Sequence, residues 1–167
     1  MHGLKKMMQV IGALLLVGSV PLFAIQKIVI DLSLQKAYAL KDGHIVFEGR
    51  ISSGKKGKET PNGIYSIMQK KHMHRSNLWP KPRGGAKMPY MMRLTNSGIA
   101  MHLGYVPNRP VSHGCIRLKK GFAKKMFRWA KVGTKVEIEG RGQDYIDALK
   151  FGKDYYGDGY AIIDVSY

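Results

Sequence analysis

What narrows the fold most is the spacing of apolar residues between Ile28 and Glu139. They alternate in short runs separated by glycine and proline turns, with one helical stripe late in the chain. Ile28, Ile30 and Leu32 alternate with Val29, Asp31 and Ser33, the period of a strand. Ala37 to Leu40 continues extended, and Asp42-Gly43 offers the two positive-φ positions of a hairpin turn. Ile45, Phe47 and Ile51 alternate on the returning strand. After a Gly, Lys and Ser-rich loop closed by Thr60-Pro61-Asn62-Gly63, strands are predicted over 64–68, 88–95, 99–103 and 134–139. Phe122, Ala123, Met126, Phe127 and Ala130 form a single apolar stripe with lysines and Arg128 away from it, which predicts a helix ended near Gly133. Residues 70–87 lack any period, carry six Lys and Arg side chains and read as a basic flap.

Three regions differ in composition. Residues 1–24 begin with Lys5 and Lys6, run through apolar Val10 to Val20 and end in small residues, the pattern of a secretory signal peptide or a retained anchor. Cleavage after Ser19 or after Ala24 fits that pattern, and either version places the domain in the periplasm or cell envelope. Residues 25–140 form the expected globular core. Residues 141–167 are acidic and aromatic, and are expected to pack back on a core of opposite charge.

Charge restricts the partners. Of 28 basic and 11 acidic residues, no acid falls between Glu59 and Glu137, while that window of 77 residues holds 16 Lys and Arg. So basic a surface favours an anionic partner. For an exported chain the expectation is cell-wall material rather than nucleic acid, with membrane contact only through the N-terminal segment and a monomeric state.

Cys115 is the chain's one cysteine, so no internal disulfide is available to it. A cysteine nucleophile needs a lowered thiol pKa, a base and oxyanion donors. Arg117, Lys119, Lys120 and a following helix N-terminus are expected to favour thiolate. His102 and His113 are candidate bases, and Gly114 allows a tight turn in which the Gly114 and Cys115 N–H groups point at one oxygen. With no carboxylate nearby in sequence, the orienter of the imidazole is expected to be a backbone carbonyl, Ser112 or Asn108. A zinc site built from Cys115, His113, His102 and a flap histidine matches no common ligand spacing, so no metal and no cofactor are expected.

His102 followed by Ser112-His113-Gly114-Cys115-Ile116-Arg117-Leu118 resembles the signature of the L,D-transpeptidase catalytic domain, also called YkuD-like. Asp31-Leu32-Ser33-Leu34-Gln35, Ser52-Ser53-Gly54-Lys55, Thr60-Pro61-Asn62-Gly63, Met88-Pro89-Tyr90-Met91-Met92 and Gly133-Thr134-Lys135-Val136-Glu137-Ile138 resemble the family's other recurrent stretches, in the family's order. The resemblance implies a mainly β fold, a sandwich of two curved mixed sheets with a helix after the cysteine. It implies that Cys115 attacks the carbonyl between meso-diaminopimelate and the terminal D-Ala of a peptidoglycan tetrapeptide. D-Ala leaves, a thioester forms, and a second stem's side-chain amine takes the acyl group as a 3→3 cross-link. By the same resemblance His102 is the proton acceptor and donor, partnered by a backbone carbonyl, with Leu103 standing where the family has a small residue. His113, Gly114 and Ser112 support the oxyanion, and Arg117, Tyr90 and Met101 bind substrate. The nine residues between His102 and Ser112 imply a small cap, leaving more of the substrate grip to the basic flap.

Two other outcomes stay open from sequence. Water as acceptor makes the same chemistry an L,D-carboxypeptidase that trims tetrapeptide to tripeptide. A site without activity leaves a wall-binding protein.

Overall fold

The computed structural model describes residues 24–77, 84–107 and 109–140. The signal segment apart from Ala24, the proposed orienter Asn108 and the acidic tail 141–167 lie outside the described residues.

Among the described residues, nine strands form one curled sheet that turns through a shared strand. They are β1 (Gln26–Asp31), β2 (Lys36–Lys41), β3 (His44–Ser52), β4 (Gly63–Ser66), β5 (Gln69–Lys71), β6 (Met91–Arg93), β7 (Ala100–Leu103), β8 (Ile116–Leu118) and β9 (Lys135–Glu139), in the spatial order β4-β9-β1-β2-β3-β8-β7-β6-β5. The expected mainly β, mixed and curved architecture is present, with its two sheets continuous at β3. That strand pairs with β2 as far as Arg50, then gives Ile51 and Ser52 to β8. Pairing is antiparallel except for β1 with β9 and β7 with β8. The single helix among the described residues, α1 (Lys120–Trp129), follows β8.

Residue chemistry accounts for the turns. Asp42 and Gly43 both take positive φ, 51° and 83°, as a two-residue hairpin requires. At the β1–β2 turn the Asp31 carboxylate accepts from the Ser33 N–H at 2.8 Å, the Ser33 hydroxyl at 2.6 Å and the Leu34 N–H at 2.9 Å. A buried acid therefore makes a turn here and is fully employed in doing so.

The core lies between the sheet and α1. Ile28, Ile30, Ile51, Met92, Met101, Ile116, Leu118, Ala123 and Met126 are all closed to solvent there. Each fully buried aliphatic side chain of this size contributes about 1.5–3 kcal/mol. The polar phase of the β1 alternation is buried too. Val29 joins Tyr38 and Leu40 in a second cluster on the opposite face. Gly133 ends no helix: α1 stops at Trp129, and Gly133 turns the chain into β9 while donating to the Ile67 carbonyl at 2.8 Å.

The described legs of the 70–87 region, 70–77 and 84–87, are tied by backbone pairing. The region's start pairs with β6 as β5, Arg75 bridges Lys87, and the Met88 and Tyr90 N–H groups each donate at 2.8 Å to the His74 and His72 carbonyls.

The loop after β3 is a packed turn. Gly54 N–H donates to Thr60 Oγ1 at 2.9 Å, and a Cβ on Gly54 would sit 2.0 Å from the Lys58 carbonyl oxygen. The backbone approaches itself too closely for any side chain. Gly54→Ala is expected to destabilise the domain by about 2–3 kcal/mol, seen as a lowered midpoint in urea unfolding. An unchanged midpoint would mean that this turn relaxes freely.

Candidate active site

β7 and β8 run parallel, with His102 opposite Arg117 and Met101 opposite Ile116. Side chains alternate across a strand, so His102, Arg117 and Cys115, two residues before Arg117, share one face of the sheet. Met101 and Ile116 take the other face and enter the core. His102, Cys115 and Arg117 line one cavity of about 400 Å³ with Lys58, Ser76, Ala86, Met88, Gly98, Ile99, Ser112 and His113. Among the described residues, no acid lines the cavity.

His102 is only 8% exposed, and its Nδ1 lies 2.8 Å from the Leu103 carbonyl oxygen. A carbonyl only accepts, so Nδ1 carries the proton and Nε2 keeps its lone pair. Burial lowers the pKa of this imidazole; the bond to Leu103 opposes the shift and the charge of Arg117 adds to it. A neutral base oriented by backbone results, the contact being made by the Leu103 carbonyl and not by its side chain.

Cys115 is half-buried against Met88, Met91 and Ala100. Its thiol points to the Gly98 carbonyl at 3.7 Å. Burial raises its pKa, opposed by the Ala100 N–H and by Arg117. The expected resting thiolate is thereby corrected. Three residues of β8 and Lys119 separate Cys115 from the start of the helix, and desolvation outweighs the opposing Ala100 N–H and Arg117. The geometry suits proton transfer at the moment of attack rather than a standing ion pair. Iodoacetamide alkylation of Cys115 is therefore expected to be slower at pH 7 than for an unhindered thiol and to rise through alkaline pH. A rate plateau beginning below pH 6 would contradict this.

The segment before the cysteine is held from several sides. Ser112 N–H and Val111 N–H donate to the Ser53 carbonyl at 3.0 and 3.1 Å, and Lys55 N–H donates to the Ser112 carbonyl at 3.0 Å. Ser112 Oγ donates to the Cys115 carbonyl and accepts from the Gly114 N–H at 3.1 Å. Thr60 Oγ1 donates to the Gly114 carbonyl at 2.8 Å. Gln35 links the β1–β2 turn to this loop: its Nε2 donates to Ser53 Oγ at 2.8 Å and its Oε1 accepts from the Ser53 N–H at 3.0 Å. Sequence reasoning read Thr60 only as part of a turn and gave Gln35 no role. The signal was present in the polar Asp31–Gln35, Ser52–Lys55 and Thr60–Gly63 stretches, which meet at the cysteine.

Other sequence expectations need correction. Gly114 sits at φ 111°, which makes the turn, but its N–H is given to Ser112 Oγ and is not available to an oxyanion in this geometry. Met101 is fully buried on the opposite face and does not line the cavity. Tyr90, at φ 54°, packs its ring 5.6 Å from Phe127 and 5.9 Å from His72, away from the cavity. Among the described residues, the flap brings Ser76 and Ala86 to the cavity, which also takes Lys58 and Arg117; flap residues 78–83, with Lys81 and Arg83, lie outside the described residues. His113 stands exposed at the cavity wall, its pKa lowered by slight burial and by Lys55, Arg117 and Lys58. Among the described residues no three metal-ligating side chains gather.

Residues 25–138 match a family model described as the L,D-transpeptidase catalytic domain, YkuD. No curated protein matches the sequence. The fold is similar to that of L,D-transpeptidase 1 of Mycobacterium tuberculosis, with TM-score 0.59 and 27% identity over 70% of this chain and 63% of that one. It is similar to an L,D-transpeptidase of Enterococcus faecium, with TM-score 0.61 and 26% identity over 68% and 49%. It is also similar in fold to L,D-transpeptidase 3 of Mycobacterium tuberculosis, solved with a faropenem-derived adduct, with TM-score 0.60 and 21% identity over 70% and 60%. The matched part spans about half to three-fifths of these structures' own length.

Proposed function

The chain belongs to the L,D-transpeptidase catalytic-domain family, and from that premise we propose that it is an exported cysteine acyltransferase forming 3→3 cross-links between peptidoglycan stems. The observation that carries this reading is the shared cavity of Cys115 and His102, with the His102 Nδ1 proton committed to the Leu103 carbonyl.

In the proposed reaction His102 Nε2 takes the Cys115 thiol proton as sulfur bonds to the carbonyl carbon between meso-diaminopimelate and D-Ala. The oxyanion is held by backbone of the 113–115 turn, with the Cys115 N–H nearest the reacting carbon. The carbon–nitrogen bond to D-Ala breaks, His102 returns its proton to that amine, and a thioester remains. The side-chain amine of a second stem then attacks the thioester and gives its proton to His102. The sulfur departs and recovers a proton from the imidazolium.

Incubation with disaccharide-tetrapeptide, followed by chromatography and mass spectrometry, tests the reading. Dimer with release of one D-Ala per link supports the transferase. Tripeptide without dimer assigns the site to L,D-carboxypeptidase action. Intact substrate, together with no acylation of Cys115 by faropenem, reduces the protein to a wall-binding role.

A further inference from the structure

We propose that Lys58 is a specificity-determining residue that, together with Arg117, binds a free carboxylate of the acyl-donor peptide next to the scissile carbonyl. The inference rests on the transpeptidase reading for the identity of the peptide, but its geometry is independent of turnover.

Among the described residues, the cavity wall carries Lys58 and Arg117 besides its two histidines, and no carboxylate lines it. Lys58 and Arg117 enter from different elements. Arg117 comes from β8, opposite His102. Lys58 comes from the turn after β3, whose backbone is fastened to the cysteine segment at both ends, through Lys55 N–H to the Ser112 carbonyl and Thr60 Oγ1 to the Gly114 carbonyl. Inside the turn, Lys58 N–H donates to the Lys55 carbonyl at 2.8 Å. The turn's own acid is withdrawn from the cavity: Glu59 Oε1 accepts from the Gly57 N–H at 2.7 Å, a bond that holds its pKa low. The lysine is thus carried on a backbone ordered before substrate arrives, which reduces the ordering cost of binding. Slight burial and then Lys55, Arg117 and Lys58 lower the pKa of His113 on the same cavity wall, so positive potential gathers on that wall.

A tetrapeptide donor carries carboxylates on both sides of the attacked carbonyl, one on the diaminopimelate side chain and one on the terminal D-Ala. Either fits a lysine–guanidinium pair, and amidating each in turn separates them. The test titrates the free-acid tetrapeptide and its two monoamides into Cys115→Ala protein, alone and combined with Lys58→Gln, Lys58→Arg or Lys56→Gln. Lys56 is exposed in the same turn and does not line the cavity, so it controls for net charge.

Lys58→Gln is expected to weaken free-acid binding about fivefold, the upper range for a solvent-accessible ion pair. It is expected to leave one of the two monoamides unaffected, with Lys58→Arg restoring affinity and Lys56→Gln changing nothing. Equal weakening by Lys56→Gln and Lys58→Gln, equal weakening for every peptide, no change in any variant, or no peptide binding at all would overturn the proposal. Selective carboxylate binding without acyl transfer by the wild-type protein would leave this inference standing while removing the transpeptidase reading.

Discussion

Cys115→Ala is expected to abolish dimer formation from tetrapeptide, a fall of at least about 10⁴-fold, while the domain stays folded. The size of the effect follows from the site's composition. No other thiol exists in the chain, and the hydroxyl nearest the sulfur along the backbone, Ser112 Oγ, is committed to the Cys115 carbonyl. Retention of fold follows from how little the sulfur holds together: its polar contacts are a long approach to the Gly98 carbonyl and a bond from the Ala100 N–H. Loss of one small half-buried group costs about 1 kcal/mol, which lowers the melting temperature of a domain this size by only a few degrees. Residual dimer formation within tenfold of wild type would remove Cys115 from the mechanism.

The second large effect is at His102. His102→Gln keeps a side chain of similar reach and is expected to lower kcat/KM by about 10²–10⁴-fold. It is also expected to remove the acid limb of the pH profile. The sign follows from burial. The reaction needs neutral imidazole, and burial holds the His102 pKa below the ordinary histidine value of about 6.5. The base therefore stays competent as pH falls through 6.5, and activity is lost only at lower pH. A profile midpoint above 6.5 would mean that the imidazole is stabilised as a cation by a resting thiolate. An unchanged profile in His102→Gln would move the base role elsewhere, with His113 as the next imidazole on the cavity wall.

How legible all this was in the sequence depended on whether the cause was local. The Asp42-Gly43 hairpin was readable because both residue types tolerate the φ the turn imposes. The helix was readable because its stripe, carrying Ala123, Met126 and Phe127, is the buried face of α1. His102 and Cys115 were readable as a pair because a lone thiol beside glycine and histidine leaves few other uses. The acid gap foretold a backbone orienter, and the Leu103 carbonyl fills that place.

The failures came from tertiary causes. Counting nearby lysines suggested a low thiol pKa, but desolvation by Met88, Met91 and Ala100 arises only when distant strands meet. The basic flap was read from composition; β5 and the Arg75–Lys87 bridge tie its described legs together and bring Ser76 and Ala86 to the cavity, while 78–83 lie outside the described residues. Met101 was misassigned although strand parity already opposed it, since neighbours of His102 along β7 face the core. The link from Gln35 through Ser53 to Ser112 spans three separate stretches and becomes visible only in their hydrogen bonds.

The central claim is that Cys115 carries the acyl group. It is tested most directly by intact-protein and peptide mass spectrometry after brief incubation with disaccharide-tetrapeptide. The account predicts an adduct on the Cys115 peptide with the mass of the donor minus D-Ala, absent in Cys115→Ala and discharged when a stem amine is added. Dimer formed with no such adduct, or an adduct on any other residue, would contradict it.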